Sequence, residues 1–268
     1  MEPDTAGLTQ IAIGAVASFV IATLAYLARA LTPSGAFAAF AIGTAAFGVG
    51  GLPAAYVLLA FFLAASLLSR LGARRKRELV DWGKHGPRDA WQVLANGGVA
   101  ALCIALSRTI DAPLLLAFAG SLAAANADTW STEIGTLSRR ARSIITFRPV
   151  TRGISGGVSL LGTLAQLAGA AFVAAVAYEV HLAPFWPVAI GGVAGGFLDS
   201  ILGASAQALR WCPRCARPCE TNPHAACGTP TTLFRGLRWI DNDVVNLLAT
   251  LCGAGVAVLV AWKWPSLW

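Results

Sequence analysis

The sequence predicts an all-α protein: a polytopic integral membrane helical bundle of about eight transmembrane helices, with a small cytoplasmic Cys-rich loop. Three observations predict it. Apolar residues make up 56% of the 268 and charged residues only 12%, about half the charge of a soluble domain, so polar side chains are too few to cover a folded surface. The apolar residues fall in runs of membrane-spanning length. The positive charges gather between those runs, where they set topology and touch the membrane surface. A net charge of +7 would suggest nucleic acid in a soluble chain; placed between spans it does not, so membrane lipids are expected as partners and nucleic acid is not. Residues 1–268 read as one membrane domain.

The start, Met1-Glu2-Pro3-Asp4, is acidic and lacks the Lys/Arg region of a secretory signal. The run after it is long enough to cross a bilayer, so the first span, residues 8–28, is expected to be retained. Breakers then delimit spans at 35–51, 53–71, 92–110, 112–130, 157–178, 184–209 and 243–262. The second is short and rich in Gly and Ala. Three connections are long and basic: Arg70 to Trp91 (Arg70, Arg74, Arg75, Lys76, Arg77, Lys84, Arg88), Ser138 to Gly156 (Arg139, Arg140, Arg142, Arg148, Arg152) and Arg210 to Asn242 (Arg210, Arg214, Arg217, Arg235, Arg238). Two spans separate each from the next, and the connection from Glu179 to Pro187 has neither Lys nor Arg. The positive-inside rule therefore puts all three in the cytoplasm and both termini outside. Gly191, Gly192, Gly195 and Gly196 give the seventh span a small-residue face that lets helix backbones approach closely.

Five acids lie in or at the edges of spans: Asp128, Glu133, Asp199, Asp241 and Asp243. A carboxylate in hydrocarbon is expensive unless paired or facing water, so each is a functional candidate. All are near the cytoplasmic ends of their helices, and at about 1.5 Å per residue Asp199 lies within about 15 Å of that surface. One cytoplasmic cavity can hold them all. Asn96, Asn126, Thr129, Thr132, Asn242 and Asn246 extend the set, with Asp128 and Thr132 four apart and Asp243 and Asn246 three apart, each pair on one helix face. Clustered carboxylates need a cation between them, and a His-free oxygen set with Asp128, Asp199 and Asp243 at its centre suits Mg²⁺. Asp241 has a second reading as the cap of the last helix.

The segment from Phe147 to Gly157 leads towards the sixth span. Gly153, Gly156 and Gly157 free backbone N–H groups, a helix N-terminus adds partial positive charge, and Arg148 and Arg152 add full charge, as a phosphate site requires. No Walker A pattern is present. Of six cysteines, Cys103 and Cys252 fall inside spans; the rest cluster as Cys212-Pro213-Arg214-Cys215, Cys219 and Cys227, with His224 among them. On a cytoplasmic loop disulfides are disfavoured. Cys212, Cys215, His224 and Cys227 resemble a structural zinc site holding the loop, residues 210–242, over the cavity, with Cys219 a spare donor; reduced thiols without metal are the alternative.

Four ordered motifs, Ala125 to Gly135, Gly156 to Gly162, Leu198 to Ala204 and Asp241 to Asn246, resemble the signatures of the transmembrane protein 19 family, also called domain of unknown function 92. The resemblance runs from about Gln92 to Cys252. Plant and cyanobacterial members of that family are phytyl-phosphate kinases, so the resemblance implies an enzyme: a membrane-embedded isoprenyl-monophosphate kinase that forms the diphosphate from a nucleoside triphosphate, with CTP the donor. Asp128, Asp199 and Asp243, helped by Glu133 and Asn246, would hold Mg²⁺ against the donor, and Arg148, Arg152 and residues 153–157 the acceptor phosphate. Where the family often has Pro-Gly-Thr, this chain reads Arg152-Gly153-Ile154-Ser155, leaving Ser155 as the hydroxyl. The expected location is a bacterial inner membrane, with the site facing the cytoplasm. A cation-coupled transporter or lipid-phosphate flippase is the alternative use of the same acids.

Overall fold

The computed structural model describes residues 5–79, 86–110 and 112–264, without the side chains of 5–6 and 71–79. It holds α1 (Thr5–Leu27), α2 (Pro33–Leu79), α3 (Ala90–Leu106), α4 (Leu114–Gly135), α5 (Leu160–Glu179), α6 (Phe185–Ser205) and α7 (Asn242–Lys263). Among the described residues, five helices are long and apolar enough to cross a membrane. The fold is an all-α membrane bundle, as the composition requires.

The second helix crosses twice. If it were straight, residues 32 and 69 would stand about 55 Å apart. Instead Arg88 reaches both: its carbonyl accepts from Thr32 N at 3.0 Å and its Nη2 donates to Ser69 Oγ at 3.5 Å. The reversal sits at Gly51, with φ 70° and ψ −164° inside the helix, two residues before Pro53. Only glycine enters that region without strain, and proline has no N–H to continue the ladder. The expected spans 35–51 and 53–71 are its two legs, and the bundle has eight.

The legs alternate in direction. Gly14 packs on Gly48 and Gly43 on Ser18, so α1 runs antiparallel to the first leg of α2. Arg108 Nη2 donates to Val49 O at 3.1 Å at the far end. The three basic connections therefore emerge at one end of the bundle, hereafter the basic end. Part of the first is helical: α2 continues through residues 74–77 to Leu79, and the side chains of Arg74, Arg75, Lys76 and Arg77, together with Lys84, lie outside the described residues.

At the centre stands α4, buried at every position from Leu116 to Ala127. Its neighbours come close because their facing residues are small. A Cβ added to Gly192 would fall 2.8 Å from Ala123 Cβ, and one on Gly253 2.6 Å from Ala124 Cβ. Glycine at these positions draws α6 and α7 onto α4, since packing replaces the hydrophobic drive in lipid. The basic ends of those helices carry Asp199, Asp243 and Asp128.

Several boundaries move. The fifth span extends to Gly135, which makes Glu133 helical; the sixth begins at Leu160, capped by Ser159, whose Oγ accepts from Gly162 N at 3.1 Å. The seventh ends at Ser205. Two small antiparallel sheets take up the difference. In the first, β1 (Ala141–Ser143) lies between β2 (Pro149–Val150) and β3 (Gly157–Val158); in the second, β4 (Leu209–Cys212) lies between β5 (Arg217–Cys219) and β6 (Thr232–Arg235). The second sheet is closed at its neck, where Ala208 N donates to Ile240 O at 2.8 Å and Leu237 N to Ala206 O at 2.8 Å.

Candidate active site

Where α4, α6 and α7 meet the two sheets, the basic end opens into a cavity of about 560 Å³. Asp128 comes from α4, Asp199 from α6 and Asp243 from the first turn of α7. Asp199 is buried within hydrogen-bond reach of Asp128, and Glu220 lies near enough to act on it electrostatically. Asp199 Oδ2 finds no hydrogen-bond donor among the described residues. Two carboxylates in contact cannot both stay charged without a cation between them. Oxygen donors of this kind fit Mg²⁺.

Asp241 does cap α7: its Oδ1 accepts from Asp243 N at 3.1 Å and Val244 N at 3.0 Å. It also lines the cavity, as does Asn242. The glycine turn forms the opposite wall through Arg152, Gly153, Ser155, Gly156 and Gly157. Gly156 has φ 79°, and a Cβ there would collide with the backbone of Ala204 on α6. The turn is thus pressed against the helix one turn beyond Asp199, which requires glycine for both conformation and space.

Six of the expected residues are not on this wall. Thr129 turns back on its own helix, its Oγ1 donating to Ala125 O at 2.8 Å. Asn126 is buried in the bundle, its Nδ2 donating to Gly169 O at 2.8 Å, so it ties α4 to α5. Asn96 Nδ2 donates to Gln92 O at 2.9 Å and faces a separate apolar pocket between α1, α2 and α3. Glu133 points away from Asp128 because the two are five residues apart on one helix. Its Oε1 accepts from Ser69 Oγ at 3.0 Å, and its charge acts on Arg88, which locks α4 to α2. Arg148 is exposed on the first sheet, and Asn246 sits a turn deeper on α7 than Asp243, off the wall.

In their place stand residues that the sequence reading counted only as topology signals or passed over. Arg210 and Arg238, at the two ends of the Cys/His segment, join Arg152 on the wall, along with Gln92, Gln207, Glu220 and Asn222. Burial pushes the Glu220 carboxyl up to about 7, against the pull of the Ser155 hydroxyl and Arg235. One signal for it was available: Glu220 is the single acid between Arg210 and Arg238, a stretch with five arginines.

The Cys/His segment gathers Cys212, Cys215, His224 and Cys227 so that one donor atom from each lies within 4.8 Å of the others. Cys212 Sγ and Cys227 Sγ are 3.6 Å apart, and His224 Nδ1 is 3.2 Å from Cys227 Sγ. Donors around a tetrahedral zinc with bonds of about 2.3 Å stand about 3.8 Å apart, so the set fits that ion. The Thr229 hydroxyl and backbone hold the Cys227 thiol down to about 6, while hydrogen bonds to Cys227 and Cys212 push Cys215 up to about 11, so without a metal the set shares its protons unevenly. Cys219 turns away, its Sγ directed to Thr221 O at 3.8 Å.

The architecture has relatives in sequence. The chain is 30% identical to Protein PGR of Arabidopsis thaliana, over 92% of this chain and 95% of that one. It is 29% identical to an uncharacterized membrane protein of Methanocaldococcus jannaschii, over 97% and 98% of the two chains. With the chloroplastic Protein VTE6 of Arabidopsis thaliana it shares 27% identity, over 87% of this chain and 66% of that one. No solved structure matches it. Residues 16–254, which contain every residue that lines the cavity, match the family described as Integral membrane protein DUF92, and the chain belongs to that family.

Proposed function

We propose that the protein is a membrane-embedded phosphotransferase, an isoprenyl-monophosphate kinase that uses a nucleoside triphosphate, CTP by preference, and forms the isoprenyl diphosphate. The observation that carries this reading is the juxtaposition, in one cavity at the end of a membrane bundle, of Asp128, Asp199 and Asp243 with Arg152 and the glycine turn. Acids fit a metal-bound triphosphate and the arginine turn fits a second phosphate. The helical walls continue into lipid, where an isoprenyl tail dissolves. The family's plant and cyanobacterial kinases, which the four motifs resemble, supply the choice of substrate.

Asp128, Asp199 and Asp243 would hold Mg²⁺, which when bound offsets the charge of the donor phosphates. The protein's own part is alignment and charge. Arg152 and the N–H groups of residues 153–157 bind the acceptor phosphate and hold it in line. Arg210 and Arg238 also line the cavity, where they would offset the charge that builds on the leaving diphosphate oxygen as its bond to the transferred phosphoryl group breaks. No general base is required, because a phosphate monoester is already an anionic nucleophile near neutral pH. The Cys/His segment holds a structural zinc, and the basic end faces the cytoplasm, where nucleotides are.

Transfer of label from γ-³²P-CTP to phytyl or geranylgeranyl phosphate by the purified protein in detergent tests the reading. Labelled diphosphate product is the expected result. Movement of the unmodified lipid phosphate across liposomes, with no label transferred, would instead make the protein a transporter.

A further inference from the structure

We propose that Glu220, carried into the cavity by the Cys/His segment, is a positioning residue: through the Ser155 hydroxyl it clamps the glycine turn that receives the acceptor phosphate. This rests on the phosphotransferase reading for its substrate, but the clamp itself is visible without it.

The contacts form a closed chain. Ser155 Oγ donates to Glu220 Oε1 and accepts from Gln207 Nε2, the latter at 3.0 Å. Gln207 belongs to the neck after α6, and Glu220 follows β5 of the second sheet. Arg235, on β6 of that sheet, donates from Nη2 to Gly203 O at 2.9 Å, at the end of α6 where Gly156 packs. Ser155 is therefore held from two sides, by Gln207 ahead of the Cys/His ligand set and by Glu220 within it, and its neighbour Gly156 is pressed on α6. The single hydroxyl hydrogen of Ser155 is committed to Glu220, so the hydroxyl orients the turn and leaves phosphate binding to Arg152 and the backbone N–H groups. The Cys/His segment is then no mere cover, because it sets the position of a wall built from a distant part of the chain.

The test compares Glu220→Ala, Glu220→Gln and Ser155→Ala with the Glu220→Ala/Ser155→Ala double variant. A clamp that acts through Ser155 raises the acceptor KM about tenfold in each alanine variant, with kcat within about threefold of the parent. The double variant is no worse than either single, because one contact is lost in all three. Glu220→Gln keeps an oxygen that accepts from Ser155 and stays near the parent KM. Independently of turnover, the concentration of inorganic pyrophosphate giving half-maximal thermal stabilisation in Mg²⁺ follows the same pattern. If that pattern holds while no variant or parent transfers phosphate, the clamp stands and the kinase reading falls. Additive losses, Glu220→Gln as impaired as Glu220→Ala, or an unchanged KM and pyrophosphate response in Ser155→Ala would overturn the proposal. Should Glu220→Ala fail to fold, Ser155→Ala and Glu220→Gln decide it alone, by the same criteria.

Discussion

At the scale of single residues, charge at Asp128, Asp199 and Asp243 is the most exposed part of the reading. Exchange of each to Asn keeps size and removes one negative charge from a site that works by charge. Turnover is expected to fall by about two to four orders of magnitude, roughly 3 to 5 kcal/mol of transition-state stabilisation, with little loss of folding because the mutual repulsion of Asp128 and Asp199 is relieved. Activity within about tenfold of the parent in all three, with unchanged Mg²⁺ dependence, would remove them from the metal site. Glu220 gives a pH signature. Burial lifts its carboxyl to about 7 in the folded protein, against 4.5 for an ordinary glutamate, so between those values the folded state holds a proton that the unfolded chain has released. Stability of the metal-free protein then falls as pH rises from 4.5 to about 7. The Glu220→Gln variant should show a shallower decline, because Asp128 and Asp199 still repel as they ionise, and thermal melting in chelator across pH 4 to 8 measures the difference. The gathering of Asp128, Asp199 and Asp243 at one end of the bundle was legible in the sequence because carboxylates are rare in apolar runs, whereas Glu220 lies in none. Glu133 and Asn126 carried the same signal but are spent on packing, against Ser69 and Gly169, a distinction that depends on helix rotation and not on residue type.

The elements divide by how local their cause is. Helices announced themselves by apolar length, and the Gly-rich weakness of the second span was the mark of the reversal at Gly51. Both small sheets escaped notice, since strands of two to four residues are too short to show alternation. They depend on contacts such as Arg142 with Val158, between chain segments that only the fold brings together. For the second sheet the ligand spacing was readable, and the zinc proposal rests on it. Purified protein should contain close to one zinc, and the Cys212→Ser/Cys215→Ser double variant should lose it, with a lower melting temperature and weakened acceptor binding as the wall around Glu220 loosens. Normal stability and no zinc by elemental analysis would leave the thiols as reduced cysteines.

For the whole molecule, charge distribution and leg count agree on orientation. Reporters fused after Arg142 and Arg217 are expected to read cytoplasmic, and one near His181 to read the opposite side. An outside signal from either basic connection would separate the cavity from the nucleotide pool and remove the kinase reading with it.

The reversal at Gly51 also bears on biogenesis. With a single residue between its legs, α2 offers the insertion machinery no loop to translocate, so both halves are expected to enter the bilayer together as a hairpin. Arg108, the partner of Val49, follows both legs in the chain, so until it is made the bend rests on glycine's freedom at Gly51. A Gly51→Val chain is accordingly expected to appear first as an inverted or half-inserted population in a glycosylation-mapping assay, and only secondarily as a less stable protein.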